Sequence, residues 1–303
     1  MDQALFGKSR KIKVMKSFLG GISLLFFVCV ACAGCKSMIR SATQPMIDNL
    51  SASIMKQNDL DLVKDGAPAF LLIIDGMVQG SPDDPQILMA AAQMYSAYVS
   101  AFVLDENPER AKLMSQKARH YAFSAMSLKN ETFARVHDKP FVKFVEVVPT
   151  IKKGDEELLF LVISTWASYI QAHSGNWDNV ADIAKVEVLT KRLLELDETY
   201  YYGSAHLVLG VLKTLLPAAL GGKPEEAKVH FERAIEISEG RFLQAKVIYA
   251  SRYARLTFNR ELHDKLLREV LETPADVIPE LTLVNTMAKK QAEKLLAEAD
   301  EYF

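Results

Sequence analysis

The chain has 303 residues, half of them hydrophobic and about a quarter charged, so we expect a folded protein with a buried core rather than a disordered chain. The formal net charge is −2 and no run of five or six like charges occurs, which argues against a nucleic-acid-binding protein. All three cysteines lie within the first 35 residues, which excludes a disulfide framework and a cysteine metal site from the rest of the chain.

The first 34 residues have the pattern of a secretory signal peptide. Five basic residues precede an apolar stretch from Phe18 to Ala33, and this stretch of roughly 16 residues is short for a membrane-spanning helix, which needs about 20. Gly34 then precedes Cys35, as a small residue precedes the lipidated cysteine of the bacterial lipobox. We therefore predict a lipoprotein signal peptide over residues 1–34 and lipidation at Cys35. Cys32 is the rival site, and a plain signal peptide or an uncleaved anchor helix is the alternative.

The residues after the predicted cleavage site indicate where the protein is anchored. Lys36 stands where a signal for retention in the inner membrane usually has Asp, so we predict attachment to the periplasmic face of the outer membrane. Loss of the leader leaves 31 basic and 37 acidic residues, a net charge of −6. Residues 35–58 are polar and poor in aromatics, which predicts a lipidated tether and a weak first helix.

From residue 59 to residue 303 the pattern is helical almost without interruption, which predicts one helical-repeat domain. The segment from Gln86 to Val103, for example, repeats apolar residues at spacings of three and four. No stretch alternates with a period of two long enough to predict a sheet. Proline at 140 and 149 predicts an irregular segment over Lys129–Gly154. The remaining helices are predicted at Ala67–Met77, Pro108–Leu128, Asp155–Ser174, Trp177–Leu196, Ser204–Leu216, Pro224–Ser238, Phe242–Leu256, Arg260–Leu271 and Pro279–Glu301.

The small residues of these helices indicate how they pair. Ala227, Phe231 and Ala234 stand at i, i+4 and i+7, which is typical of the second helix of a tetratricopeptide repeat, and Gly210 matches the first helix. A similar spacing begins at Ala111. Because the distances between matches are uneven, we predict an all-α fold of stacked antiparallel helix pairs with degenerate tetratricopeptide-like repeats. Generic helix pairs without a true repeat are the alternative.

Two local features are candidates for a binding surface. Three tyrosines precede a predicted helix start, and tyrosine suits ligand grooves and protein interfaces because it combines apolar area with a polar tip. We predict ligand or partner contact at Tyr200, Tyr202 and His206, with core packing between repeats as the alternative. The second feature is Phe70–Ile74, which is apolar all round and therefore expected to be buried on every side, in the core, an oligomer or a lipophilic cavity.

No local motif indicates catalysis. The six histidines are scattered and form no zinc motif, and the segment Gly221–Pro224 lacks the frame of a phosphate-binding loop. The serines show no nucleophile elbow. The sequence therefore predicts a protein without enzymatic activity, without a cofactor and without a metal.

Six segments give the chain a resemblance to a known family by their order and spacing. The chain resembles the T-component (TatT) family of proteins associated with tripartite ATP-independent periplasmic (TRAP) transporters. The resemblance implies a periplasmic lipoprotein that has degenerate tetratricopeptide-like helices, pairs with a TRAP-type solute-binding protein and forms a homotrimer around hydrophobic pores. The segments are Ala69–Gly76, Ala91–Tyr98, Asn107–Ala111, Tyr202–Gly210, Leu220–Ala227 and Tyr249–Ala254.

The features taken together predict a non-enzymatic periplasmic lipoprotein that docks a TRAP-type solute-binding protein and relays a small hydrophobic solute during uptake. The alternative is a helical-repeat scaffold that holds a peptide during envelope or outer-membrane protein assembly. A hydrolase with a site assembled from distant residues is the third and weakest candidate. A solute-binding protein and a membrane permease encoded beside this chain favour the first.

Overall fold

The computed structural model describes residues 49–173, 179–216 and 218–303, so the predicted leader and Cys35 lie outside the described residues. Residues 49–55 are helical. Helices account for the regular structure from residue 60 onward, and no strand occurs in the described ranges, so the all-α prediction is confirmed. Within those ranges no helix is both long and apolar enough to cross a membrane.

The three helices that follow residue 59 begin at side-chain caps that the sequence supplies. Asp59, Asp84 and Asn107 each accept a hydrogen bond from a backbone N–H in the first turn that follows, which satisfies a donor that has no partner inside the helix. The Asp59 cap explains why the helix predicted to start at Ala67 starts several residues earlier, at Leu60. These helices are α1 (Leu60–Gly80), α2 (Pro85–Tyr98, continued by a π-helical turn over Val99–Val103) and α3 (Pro108–Lys129).

The segment predicted to be irregular, Lys129–Gly154, is instead built from short helices. Asn130 caps the first of them by accepting a hydrogen bond from the Phe133 backbone N–H at 3.0 Å. Phe133 and Phe144 are fully buried, so the segment is held by core packing that its sequence pattern does not reveal. The helices are α4 (Glu131–Val136), α5 (Phe141–Phe144) and a 3-10 helix (Val145–Thr150).

Each of the remaining helices packs against the next one along the chain, and the first of them also packs against α3. The apolar side chains form two core clusters, one running from Leu71 to Ala205 and the other from Leu207 to Leu295, so the division falls near the start of α8. The helices are α6 (Glu156–Ala172), α7 (Asn179–Leu196), α8 (Tyr200–Lys213), α9 (Pro224–Ile237), α10 (Leu243–Tyr249, continued by a π-helical turn over Ala250–Ala254), α11 (Arg260–Glu272), α12 (Thr282–Ala297) and α13 (Ala299–Tyr302).

The α8–α9 pair shows the close packing that the repeat pattern predicts. Phe231 of α9 is fully buried, and a Cβ atom at Gly210 of α8 would lie only 2.5 Å from its ring. The Phe231 ring also stacks on Tyr249 of α10, with 5.3 Å between ring centroids. Only glycine at position 210 leaves room for this ring, so the predicted pairing of these two helices is confirmed.

The exposure of α1 differs from the prediction that Phe70–Ile74 is buried on every side. Leu71 and Ile74 are buried, but Leu72 and Ile73 are 74% and 58% exposed, so the segment is not covered on every side within one chain. The reason is position: α1 is the first long helix of the stack, packs mainly against α2 and touches α12 only slightly. An apolar face of α1 therefore points away from the core.

Candidate functional site

The predicted tyrosine site begins with a left-handed turn at the start of α8. Tyr201, Tyr202 and Gly203 have φ values of 42°, 59° and 76°. Such a conformation costs a residue with a Cβ atom roughly 1–2 kcal/mol, so surrounding contacts must hold the two tyrosines in it. A Cβ atom at Gly203 would lie 3.1 Å from Ile237 and 3.3 Å from Ala234, so the chain passes directly over α9 here.

The tyrosine rings of this turn pack against other aromatic side chains. The centroid of the Tyr200 ring lies 5.6 Å from that of Phe160 in α6, and the centroid of the Tyr202 ring lies 5.9 Å from that of Phe242. Burial, reinforced by the carboxylate of Glu157, raises the pKa of Tyr200 to about 12. Both rings are half-buried. In the structure these two rings join α6, α8 and the start of α10. Their contact with a ligand or partner stays a prediction.

His206, the third predicted residue, is buried in a polar network between α8 and α9. Its Nδ1 lies 2.8 Å from His230 Nδ1, and its Nε2 lies 3.1 Å from Glu198 Oε1. Because a carboxylate only accepts, Nε2 donates to Glu198, and His206 Nδ1 then accepts from His230 when His206 is neutral. Both ring nitrogens are thus occupied by partners within the chain.

Glu198 is the centre of this network. Arg233 donates to both of its oxygens, from Nε at 2.8 Å and from Nη2 at 2.9 Å, and also donates to Glu236 at 2.8 Å. These bonds, with the one from His206, lower the pKa of Glu198 to about 2. Burial and the neighbouring His206 lower the pKa of His230. The groups in this network satisfy one another and fix α8 to α9.

A second site, which the sequence analysis did not single out, is a pocket of about 610 Å³ between α3, α6, α7 and the end of α4. This volume lies within the range of small-molecule sites. The pocket combines aromatic, cationic and hydroxyl side chains. Its lining residues are Gln116, Arg119, His120, Phe123, Ser124, Ser127, His137, Asp138, Trp166, Asp182 and Lys185.

The aromatic wall of the pocket is formed by Phe123 and Trp166. Their rings meet edge to face with 4.9 Å between centroids. Trp166 is almost completely buried, and its Nε1 donates a 3.0 Å hydrogen bond to Asp182 Oδ2. The indole is therefore held in one orientation by packing on one side and by a charged acceptor on the other.

Two cations share the single carboxylate of Asp182. Lys185 is only 6% exposed, and its Nζ lies 3.3 Å from Asp182 Oδ1 and 3.4 Å from the His137 carbonyl oxygen. The guanidinium carbon of Arg119 lies 3.7 Å from the centroid of the Tyr169 ring. The Nη1 atom of Arg119 lies 3.9 Å from Asp182 Oδ2, which is too long for a hydrogen bond. Burial lowers the pKa of Arg119 and is also the main cause of the lowered pKa of His137. Both cations remain short of strong hydrogen-bond acceptors among the described residues.

One sequence signal could have identified part of this pocket. Its residues on α3 fall at positions 116, 119, 120, 123, 124 and 127, which form one face of a helix. The opposite face carries Ala111, Ser115 and Ala118, all buried, which is the small-residue pattern recognised in the sequence. Asp182 and Lys185 could not be added from the sequence, because only the packing of α6 and α7 brings them to α3.

Comparison with protein families places the chain beside a known family. A family model described as the TRAP transporter T-component matches residues 56–303, which includes α1 to α13. No curated protein matches the chain.

Proposed function

This chain belongs to the TRAP transporter T-component family, and from that premise we propose that it is a non-enzymatic periplasmic protein that docks a TRAP-type solute-binding protein and relays a solute to it. The family is associated with transport rather than with a known enzyme activity. The observation that carries the proposal is that the match extends over the whole stack of helices. Stacked helix pairs offer a continuous surface for a protein partner, and the α3–α6–α7 pocket offers space for a small molecule.

Docking is tested by measuring complex formation with the solute-binding protein encoded beside this chain, using sedimentation velocity of the purified pair. The variants Tyr200→Ala, Tyr202→Ala and His206→Ala test whether the tyrosine turn is the docking face. Tyr302→Ala removes an exposed tyrosine at the other end of the domain and is the control. We expect weaker binding in the first three variants only. Absence of any complex with the wild-type chain would contradict docking and favour the scaffold alternative.

The lipid anchor is a separate part of the proposal. A lipidated Cys35 would hold the helical domain at the periplasmic face of the outer membrane, since two acyl chains suffice for stable attachment. Cys35→Ala should abolish palmitate labelling and release the protein from the membrane fraction, whereas Cys32→Ala should change neither. Labelling that is lost with Cys32 instead would move the predicted cleavage site.

Self-association through α1 is the third part. The exposed Leu72 and Ile73 supply an apolar face of the kind that subunit interfaces cover, in line with the trimer that the family resemblance implies. In-cell cross-linking of Leu72→Glu with Ile73→Glu should then show loss of the trimer. Leu113→Glu, which changes an equally exposed leucine on α3, is the matched control. An unchanged trimer in the double variant would contradict this interface.

A further inference from the structure

We infer that the contact between His206 and His230 is an acid-sensitive switch. Near neutral pH it holds the left-handed turn at the start of α8 against α9, and it releases this turn when both imidazole rings are protonated. The geometric basis is a pair of ring nitrogens that face each other across the two helices at 2.8 Å. The inference concerns a single chain and does not rest on the proposed docking.

The first argument is that α9 holds the left-handed turn at both of its ends. Before the turn, Glu198 is bound by Arg233 of α9 through two hydrogen bonds. After the turn, His206 contacts His230 of α9. Between these two points, Gly203 lies directly on α9. Loss of the histidine contact would therefore leave the turn fixed at one end only.

The second argument is that the turn is strained and changes once it is released. Tyr201 and Tyr202 have φ values of 42° and 59°. This conformation is unfavourable for a residue with a Cβ atom, and it persists only where surrounding contacts impose it. When the contact with α9 weakens, the two tyrosines gain by returning to an ordinary conformation.

The third argument is a count of protons on the two histidines. Because Nε2 of His206 donates to Glu198, only one proton can lie between the two facing Nδ1 atoms. The pair keeps this hydrogen bond when it takes up one extra proton, since a charged His206 can donate both to Glu198 and to a neutral His230. A second extra proton places an N–H group on each of the facing atoms, and the two positive rings then repel each other.

The fourth argument concerns the charged groups that face the histidines. Burial, followed by the charges of His206 and Lys213, lowers the pKa of His230. Three carboxylates face the pair from the loop before α8, from α7 and from α9, and each is already bound to cations. They are Glu198 with Arg233, Glu187 with Lys191 and Lys213, and Glu226 with Lys213 and Lys223. None of the three is therefore free to neutralise a second charge on the pair.

The direction of the pH effect follows from these shifts. Because the pKa of His230 in the closed state lies below its ordinary value of 6.5, the contact stabilises the junction fully above that value and loses this effect as the pH falls below it. Glu198 stays charged in this range, since its pKa is about 2. The switch therefore acts at a higher pH than the protonation of Glu198.

The test is hydrogen exchange, measured by mass spectrometry on the full-length protein in lipid nanodiscs between about pH 7.5 and about pH 5. The rates are corrected for the intrinsic effect of pH on amide exchange. We expect the protection of amides at the start of α8 to fall by about tenfold or more, because an opening that takes up one proton shifts by up to about tenfold per pH unit. Amides of α3, which belongs to the first core cluster, should keep their protection.

His230→Gln and His206→Gln each retain a side chain that can hydrogen-bond to the remaining histidine, but only one ring can then be protonated. Both variants should lose most of the pH response, even if they are less protected at about pH 7.5. His120→Gln changes an exposed histidine of α3 and is the matched control, which should respond as the wild type does. Unchanged protection in the wild type, a loss shared by α3, or a response of wild-type size in either variant would each overturn the inference.

Discussion

The molecule contains two polar sites that combine an arginine, a histidine and a carboxylate, and they differ in how completely their groups are paired. In the α8–α9 network, Arg233 makes three hydrogen bonds to Glu198 and Glu236, all between 2.8 and 2.9 Å. In the α3–α6–α7 pocket, Arg119 makes none with the described residues and approaches Asp182 only to 3.9 Å. The network is filled by the chain itself, whereas the pocket has space beside a partly exposed arginine.

The contrast separates a structural role from a binding role by a physical criterion. Buried polar groups are normally paired, and a group that lacks a partner needs an explanation. The network needs none, because its bonds join α8 to α9 where the core changes from one cluster to the other. The pocket differs, because the Arg119 side chain is 26% exposed, so water or a small molecule can supply the acceptors that the chain does not.

The largest effect is expected from the packing around the network. Phe231→Ala should lower the free energy of unfolding by about 3–5 kcal/mol, because its buried ring fills the space left by Gly210 and stacks on Tyr249. Urea denaturation measures this change. Val229→Ala on the same helix alters a side chain that is 65% exposed and should change stability by less than about 0.5 kcal/mol. Similar small values for both variants would contradict the close α8–α9 packing.

A smaller effect is expected from the network itself, and it depends on pH. The pKa of Glu198 is lowered from 4.5 to about 2 in the folded state, so its stabilising effect is present above the higher value and is lost as pH falls through the lower one. Glu198→Gln should therefore lower stability near pH 6 by about 1 kcal/mol, a modest amount because the carboxylate is partly exposed and screened by solvent.

The same variant should approach wild-type stability as the pH falls toward about 2, so urea denaturation at several acidic pH values tests the sign. Glu293→Gln removes an exposed carboxylate that makes no ion pair with the described residues, and as the control it should change stability near pH 6 by less than about 0.5 kcal/mol. A Glu198→Gln variant that is as stable as wild type near neutral pH would show that the network does not hold the helices together.

The smallest effect is expected in the pocket. Lys185→Met should change the free energy of unfolding by less than about 1 kcal/mol, because the cost of burying the cation offsets its long contact with Asp182. Asp182 keeps its hydrogen bond from Trp166 in the variant. Leu189→Ala, on the same helix and fully buried, should cost about 2–5 kcal/mol. A comparable loss in Lys185→Met would give that lysine a structural role.

The sequence predicted the two sites unequally, for reasons of distance along the chain. The α8–α9 pairing could be read from Gly210 and Phe231, because repeat helices place small and large residues at fixed spacings. The left-handed turn at Tyr201 and Tyr202 could not, since tyrosine disfavours that conformation and only tertiary packing imposes it.

The pocket was beyond sequence reasoning for a different reason. Its face on α3 has a helical spacing, but polar residues at that spacing are also typical of a solvated surface. The short helices α4 and α5, which replace the expected irregular segment, and the approach of Asp182 and Lys185 turn this face into a cavity. Neither the short helices nor the approach of Asp182 and Lys185 can be recognised from the residues that adjoin them in the sequence.

The central claim, that Arg233 holds two helices together whereas Arg119 does not hold the walls of its pocket together, is tested most directly by two matched substitutions in a single experiment. Arg119→Gln and Arg233→Gln are each measured for the free energy of unfolding near pH 6 by urea denaturation. We predict that Arg233→Gln is less stable than wild type, because it loses the hydrogen bonds to Glu198 and Glu236, and that Arg119→Gln stays close to wild type. Equal losses in the two variants, or a larger loss in Arg119→Gln, would contradict the account.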